Sequence, residues 1–231
     1  MTPNQQLIEK TTANPTELEV HSIFYTIQGE SLFAGCPAVF VRLAGCNLQC
    51  TFCDTDYTSV RKKMNVANIV EECSQFATNL VIISGGEPFR QNIKLLVDTL
   101  LHKNFVVQIE TNGTICPDWF PTGKTQNLHV VMSPKLKTMD PNWGHVSHST
   151  ISYKYVMGCD SLEDGLPSTV LGKAIIPARP FLSHIQSEVY LQPEDTQSRY
   201  QNDKNQDKCV KSCLTHGHRL CLQIHKIVSL P

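Results

Sequence analysis

The sequence predicts an α/β fold built of βαβ units, and three observations predict it. Apolar, β-rich runs recur along the chain: LEVHSIFYTI, AVFVRLA, LVIIS, FVVQIE, LHVVMS, ISYKYVM, EVYLQP and RLCLQIHKIV. Several of the middle runs are almost continuously apolar, as strands covered on both faces of a parallel sheet are. Helical patterns fall between some of them, which is the alternation that α/β folds show.

Taken in order, residues 1–17 open with MTPNQQLIEKTTANP, a polar stretch without the basic start and apolar core of a secretory signal. They are expected to form a flexible tail. The first two strands follow, LEVHSIFYTI and AVFVRLA. NVANIVEECSQFA then puts Val66, Ile69, Val70, Cys73 and Phe76 on one helical face, with Asn65 as N-cap. After LVIIS, the run QNIKLLVDTLLHK does the same with Ile93, Leu96, Val97, Leu100 and Leu101. Four strands come next, with polar loops expected over residues 121–127, 140–150 and 193–207. DKCVKSCLTHG reads as a third helix closed by Gly217, and RLCLQIHKIV as a final strand. No linker, repeat or low-complexity block interrupts residues 18–231, so one domain is expected.

Composition excludes several classes. The formal net charge of -1 argues against a non-specific nucleic-acid binder. No apolar run reaches the roughly 18 residues of a membrane span, so a cytoplasmic protein is expected. Ten cysteines accompany 41% hydrophobic residues, enough for a full core. In a chain without a secretion signal they read as reduced thiols, some binding metal, rather than as a disulfide scaffold.

Each apolar run ends in an unusual polar group. AVFVRLA leads into the cysteine loop, LVIIS into GGEP, FVVQI into ETNGT, LHVVM into SPK, EVYL into Gln192-Pro193 and LCLQI into His225-Lys226. Gly, Pro, Asn and Ser are ordinary turn residues. Six clusters that also carry Glu, Lys, His and Gln point to one cavity at the carboxyl ends of the strands, whether in a barrel or in an open sheet.

The loop AGCNLQCTFCDTDY holds Cys46, Cys50 and Cys53 in a CxxxCxxC spacing. Thiolates at this density suit zinc or an iron–sulfur cluster. A closed zinc site needs a fourth ligand; no second CxxC occurs, and Cys36, Cys209 or Cys213 would have to supply it. The remaining cysteines read as small buried hydrophobes. On a four-iron cluster, three thiolates leave one iron open to a small molecule.

CxxxCxxC followed by the strand-end SGGEP resembles the radical S-adenosylmethionine superfamily. In that superfamily the open iron holds S-adenosylmethionine, whose reductive cleavage yields a 5′-deoxyadenosyl radical. The wider stretch FYTIQGESLFAGCPAVFVRLAGCNLQCTFCDTDY, with IETNGT, SPK and RLCLQIHK, resembles the 7-carboxy-7-deazaguanine synthase family from about Val20 to the chain end. The resemblance implies an incomplete TIM-type βα barrel, in keeping with the strand count. It implies ring contraction of 6-carboxy-5,6,7,8-tetrahydropterin to 7-carboxy-7-deazaguanine with release of ammonia, in queuosine-type 7-deazapurine synthesis.

The resemblance also assigns residues. Cys46, Cys50 and Cys53 would hold a [4Fe–4S] cluster and Thr55 a Mg²⁺ ion. Phe52, Cys53, Asp54, Gly86, Ser133, Pro134 and Lys135 would contact S-adenosylmethionine. Ile27, Gln28, Gly29, Glu30, Arg42, Ser84 and the terminal carboxylate of Pro231 would contact the pterin. That chemistry suits the residue types: Gln28 donates and accepts, Glu30 accepts from a guanidine-like edge, and Arg42 pairs with a carboxylate through two N–H groups. Gln192 and His225 would line the cavity. A flavodoxin- or ferredoxin-type electron donor and a homodimer are implied, with no nucleic-acid or membrane partner. Ser31 departs from the family's QGEG, Ser84 from its TGGEP, and Cys36 falls at a variable position, which argues against a ligand role. Two rival readings are a different radical enzyme, such as a glycyl-radical activase, and a non-catalytic zinc or iron–sulfur protein.

Overall fold

The computed structural model of the chain describes residues 7–50, 53, 56, 59–158, 160–170 and 173–230. Among them nine strands form one sheet: β1 (Glu17–Ile27), β2 (Pro37–Leu43), β3 (Lys62–Asn65), β4 (Leu80–Gly85), β5 (Val106–Thr111), β6 (Leu128–Met132), β7 (Ile151–Met157), β8 (Val189–Pro193) and β9 (Arg219–Leu220). Their spatial order is β3-β1-β2-β4-β5-β6-β7-β8-β9. The long central section from β2 to β9 is parallel throughout, as the continuous apolar runs predict. Only β1 runs antiparallel, to β2 on one side and β3 on the other. The edges β3 and β9 do not pair with each other, so the barrel is incomplete.

Helices α1 (Val66–Cys73) and α2 (Lys94–His102) cover the outer face. Asn65 caps α1 by accepting from the Ala67 N–H at 2.9 Å. The buried positions of α1 are Val66, Ile69, Val70 and Cys73, and those of α2 are Leu96, Val97 and Leu100. Phe76 and Ile93 fall outside these helices yet still pack on the same core. No regular helix joins β5 to β6 or β6 to β7. Trp119, Phe120 and Trp143 gather around Phe89 there and fill the outer face instead.

Three expectations need correction. Helix α3 spans Arg199–His216, so the expected loop over residues 193–207 is helical in its second half. Its first turns, RYQNDKNQ, are polar all round and carry no apolar stripe to read. The run RLCLQIHKIV pairs in the sheet only at Arg219–Leu220, and α4 (Ile224–Ile227) turns away from it. The expected flexible tail is tied down from residue 9 onward. The Glu9 N–H donates to the Cys46 carbonyl and the Thr12 N–H to the Arg90 carbonyl, each at 2.8 Å. No helix among the described residues is long and apolar enough to cross a membrane.

Candidate active site

Side chains alternate across a strand, so each strand has an outer and an inner row. The outer row is apolar: Val39, Val41 and Leu43 on β2, Val81 and Ile83 on β4, Val107 and Ile109 on β5 pack in the main core. The inner row changes character along each strand. At the amino-terminal end Ala38, Leu80 and Ile82 form a second, small apolar cluster with Phe33, Phe40 and Val106. One or two residues further on the same row presents Arg42, Ser84, Glu110, Lys154 and Gln192. These line a cavity of about 530 Å³. A polar floor on an apolar plug is thus set by strand register. Arg42 and Ser84 are register partners on β2 and β4.

The cysteine loop forms one wall. Cys46, Cys50 and Cys53 all line the cavity together with the polar floor. The loop is clasped from two sides. Asn47 donates to Thr114 at 2.8 Å and accepts from Asn112 at 3.0 Å, which fastens it to the ETNGT turn after β5. On the other side the buried guanidinium of Arg90 donates to the Ala44 carbonyl at 3.0 Å and pairs with Glu19 at 2.7 Å and Glu9 at 3.2 Å. Gln91 adds a bond to the same carbonyl at 3.2 Å.

The glycines of SGGEP have a structural task. A Cβ on Gly86 would lie 2.5 Å from the Gly45 carbonyl carbon and 2.9 Å from the Cys46 Cβ. A Cβ on Gly85, whose φ is +133°, would strike the Leu43 backbone. The strand end therefore packs directly beneath the cysteine loop, and only glycine fits. Behind it, Glu87 is fully buried and accepts from Thr111 Oγ1, the Asn112 N–H and the Phe89 N–H. Burial outweighs those bonds and pushes its carboxyl up to about 7.

Electrostatics concentrate at the floor. Lys154 forms an ion pair with Glu30, and Glu110 lies close enough to act on the same ammonium. Gln28 and Gln108 donate to Glu110 Oε1 at 3.1 and 3.2 Å. Gln223 donates to Glu30 Oε1 at 2.8 Å. With its amide turned to satisfy both ends, Gln192 donates to Glu30 and accepts from Gln223, each at 3.2 Å. Burial alone would raise the Glu30 carboxyl, but Lys154 and Gln223 more than offset it and hold it below the usual range. Glu110 is pushed up by burial and by its neighbour Glu30, against the pull of Lys154. Burial works against the charge of Lys154, and the two carboxylates hold its ammonium above the usual lysine value.

The C-terminal segment spans the gap between the sheet edges. The Ser31 N–H donates to Cys221 Sγ at 3.3 Å, and the Ile224 N–H to the Gly29 carbonyl at 3.1 Å. Gly29 leaves the space that the His225 ring fills. His225, Lys226 and Gln223 thereby reach the cavity.

Most residues singled out in the sequence meet here: Ile27, Gln28, Glu30, Arg42, the three cysteines, Ser84, Gly86, Lys135, Gln192 and His225 all line the cavity. Ser133 accepts from the Lys135 ammonium at 2.8 Å. Pro134 lines a small neighbouring pocket together with Lys135. Gly29 acts through packing against His225 rather than as part of the lining. Phe52, Asp54, Thr55 and Pro231 lie outside the described residues. Cys36 is exposed in a turn, where its carbonyl accepts from the Gln28 N–H at 2.8 Å, and Cys209 is buried on α3. None of the described cysteines is in a disulfide. Among the described residues, no group of three or more His, Cys, Asp or Glu side chains is arranged to hold a single metal ion.

Glu110, Lys154, Gln108 and Gln223 were not assigned roles from the sequence. Lys154 carried the clearest signal, as a lone cation inside the apolar run ISYKYVM.

Residues 41–157 match the model of the radical SAM superfamily. The chain is 37% identical over 223 residues to a 7-carboxy-7-deazaguanine synthase of Rhodospirillum rubrum, covering 92% of both chains. It is 35% identical to the enzyme of the same name from Rickettsia prowazekii, covering 93% of this chain and 89% of that one. A crystal structure of QueE from Escherichia coli superposes with a TM-score of 0.66 at 23% identity, covering 90% of this chain and 94% of the other, a likeness of fold.

Proposed function

The chain belongs to the 7-carboxy-7-deazaguanine synthase family within the radical SAM superfamily, and from that premise we propose that it converts 6-carboxy-5,6,7,8-tetrahydropterin to 7-carboxy-7-deazaguanine with loss of ammonia. The observation that carries the reading is the meeting, in one cavity, of three thiols with a floor that includes Glu30, Arg42, Ser84 and Gln28. Neither half suffices alone. The thiols suit any radical enzyme; the floor suits a ligand with an N–H-rich edge and a carboxylate.

A [4Fe–4S] cluster with bound S-adenosylmethionine supplies the radical chemistry, and the donor set fits it: three thiols face a shared space, with Gly86 keeping that wall free of a side chain. Cys46, Cys50 and Cys53 would hold the cluster. Phe52, Cys53, Asp54, Gly86, Ser133, Pro134 and Lys135 would seat S-adenosylmethionine. Arg42 and Ser84, paired across β2 and β4, would bind the pterin carboxylate side. Gln28, Glu30 and Glu110 would accept from its amide and amine edges, with Ile27 and Gly29 shaping that end. Thr55 would hold Mg²⁺ against the substrate carboxylate, since hard oxygen ligands suit that ion. Pro231 would add its terminal carboxylate. A flavodoxin or ferredoxin as electron source and a homodimeric assembly follow the family's habit.

The test is anaerobic reconstitution with iron and sulfide, reduction, and addition of S-adenosylmethionine, Mg²⁺ and the pterin. Formation of 7-carboxy-7-deazaguanine is expected. Deoxyadenosine without that product would favour another radical enzyme, and a cluster spin signal indifferent to S-adenosylmethionine would favour a binding protein.

A further inference from the structure

Building on the reading above that Arg42 binds the carboxylate of the pterin, we propose that Phe24 is a positioning residue for Arg42: its ring carries the guanidinium and holds it ready for that carboxylate.

Strand register brings the two side chains together. Phe24 on β1 stands directly opposite Phe40 on β2. Arg42 follows Phe40 by two residues on β2, so it shares that face and lies diagonal to Phe24. Diagonal neighbours in an antiparallel pair are within reach of aromatic and long side chains. Both contacts are made. The ring centroids of Phe24 and Phe40 lie 5.3 Å apart with the planes 14° from parallel. The guanidinium carbon of Arg42 lies 5.1 Å from the centroid of the Phe24 ring. That is inside the roughly 6 Å over which a cation is drawn to a ring face.

The other neighbours of Arg42 on the sheet give the ring its task. The register partners of Arg42 are Ser22 on β1 and Ser84 on β4. Two short side chains offer a long one little to lean on. An arginine left to swing would have to lose its rotamer freedom when the ligand arrives, which weakens binding. Contact with a ring face fixes the plane of a guanidinium without using any of its N–H groups, and those are what a carboxylate takes up in two parallel bonds.

A phenylalanine that served only the core would sit in it. Phe24 is half-buried, lines the cavity beside Arg42, and belongs to neither of the two apolar clusters. Phe40, by contrast, packs against Ala38, Leu80 and Ile82 in the plug. Phe40 thus ties the pair to the plug, and Phe24 passes that rigidity on to Arg42.

The experiment measures dissociation constants by anaerobic titration of the cluster-loaded protein with S-adenosylmethionine and Mg²⁺, without reductant, so that no turnover occurs. The two ligands are 6-carboxytetrahydropterin and tetrahydropterin, which lacks the carboxylate. Their ratio reports the grip on the carboxylate, because a general loss of shape would weaken both alike. Phe24→Leu, apolar but without a ring, should lower the preference for the carboxylated ligand at least about threefold. Phe24→Tyr, which keeps the ring, should stay within about twofold of wild type. On an Arg42→Gln background, Phe24→Leu should change the ratio by less than about twofold, since the ring then has no guanidinium to hold. If Phe24→Leu leaves the preference intact, if Phe24→Tyr loses it too, or if the effect persists without Arg42, the proposal is wrong. Should Phe24→Leu not fold, Phe24→Met, unbranched and adaptable in packing, takes its place and must meet the same numbers. A wild type that binds both ligands equally would take the carboxylate away from Arg42; that result counts against the reading above and takes the proposal with it.

Discussion

Replacing Ser31 by glycine should stabilise this protein, against the usual direction of a substitution at a buried site. Ser31 follows the QGE segment and has φ of +60°, in the left-handed region. For a residue with a Cβ that conformation costs about 1–2 kcal/mol. The side chain is 6% exposed and its hydroxyl has no hydrogen-bond partner. A buried, unsatisfied hydroxyl adds a further cost of roughly 1–3 kcal/mol. Glycine removes both but gives the unfolded chain more freedom, which takes back about 0.5–1 kcal/mol. The net expectation is a gain of about 1–4 kcal/mol, seen in urea unfolding of the cluster-free protein as a higher midpoint with an unchanged slope. The bond from the Ser31 N–H to Cys221 belongs to the backbone and survives. Product formation should therefore be unaltered. A lower midpoint would refute the reasoning, because it would mean that the hydroxyl has a stabilising partner or that the turn does not need a left-handed residue.

Other outcomes follow from the same geometry. Gly86→Ala should cost about 2–4 kcal/mol in the cluster-free protein, through overpacking against Gly45 and loss of the bond from the Glu87 N–H to the Gly45 carbonyl; urea unfolding without cofactor separates this from any lost contact to S-adenosylmethionine. Glu87, raised from 4.5 to about 7, binds a proton in the folded state over a range where the unfolded chain does not. Its contribution is therefore fully present below the unfolded value and is lost as pH rises through the folded one, by about 3 kcal/mol. Glu87→Gln should abolish that slope, so the stability difference between wild type and variant should change by this amount between about pH 4 and about pH 8 in paired unfolding curves. Cys50→Ala should lose the cluster, while Cys209→Ala should keep it at a modest cost in stability; iron analysis after reconstitution reads both, and the opposite pattern would mean that the wrong thiols are assigned.

The parallel sheet was legible because β4 to β7 bury both faces and read as unbroken apolar runs. The polar clusters at strand ends marked the cavity because functional side chains interrupt those runs at their carboxyl ends. Helix α3 was half hidden, since it buries Asn205, Cys209 and Ser212 rather than an apolar stripe. The C-terminal run could not be divided by periodicity: Arg219–Leu220 takes its strand from β8, a tertiary pairing that no local signal announces. The roles of Glu110 and Lys154 were hidden for a related reason. A single charge in a strand reads as an outward residue until the inner row is known to be polar at that level. Gln91 opened the expected second helix and Arg90 carried no reading, and only the packed structure shows that both hold the Ala44 carbonyl beneath the cysteine loop.

The central claim is that the thiol wall and the polar floor act on one and the same molecule. Turnover with a pterin carrying deuterium at C6 tests it most directly. In the proposed reaction the adenosyl radical would take hydrogen from C6 of the pterin and deoxyadenosine would give it back as S-adenosylmethionine is re-formed, so deuterium recovered in S-adenosylmethionine, together with 7-carboxy-7-deazaguanine, is the predicted result. S-adenosylmethionine recovered without label, or cleaved while the pterin stays intact, would contradict it.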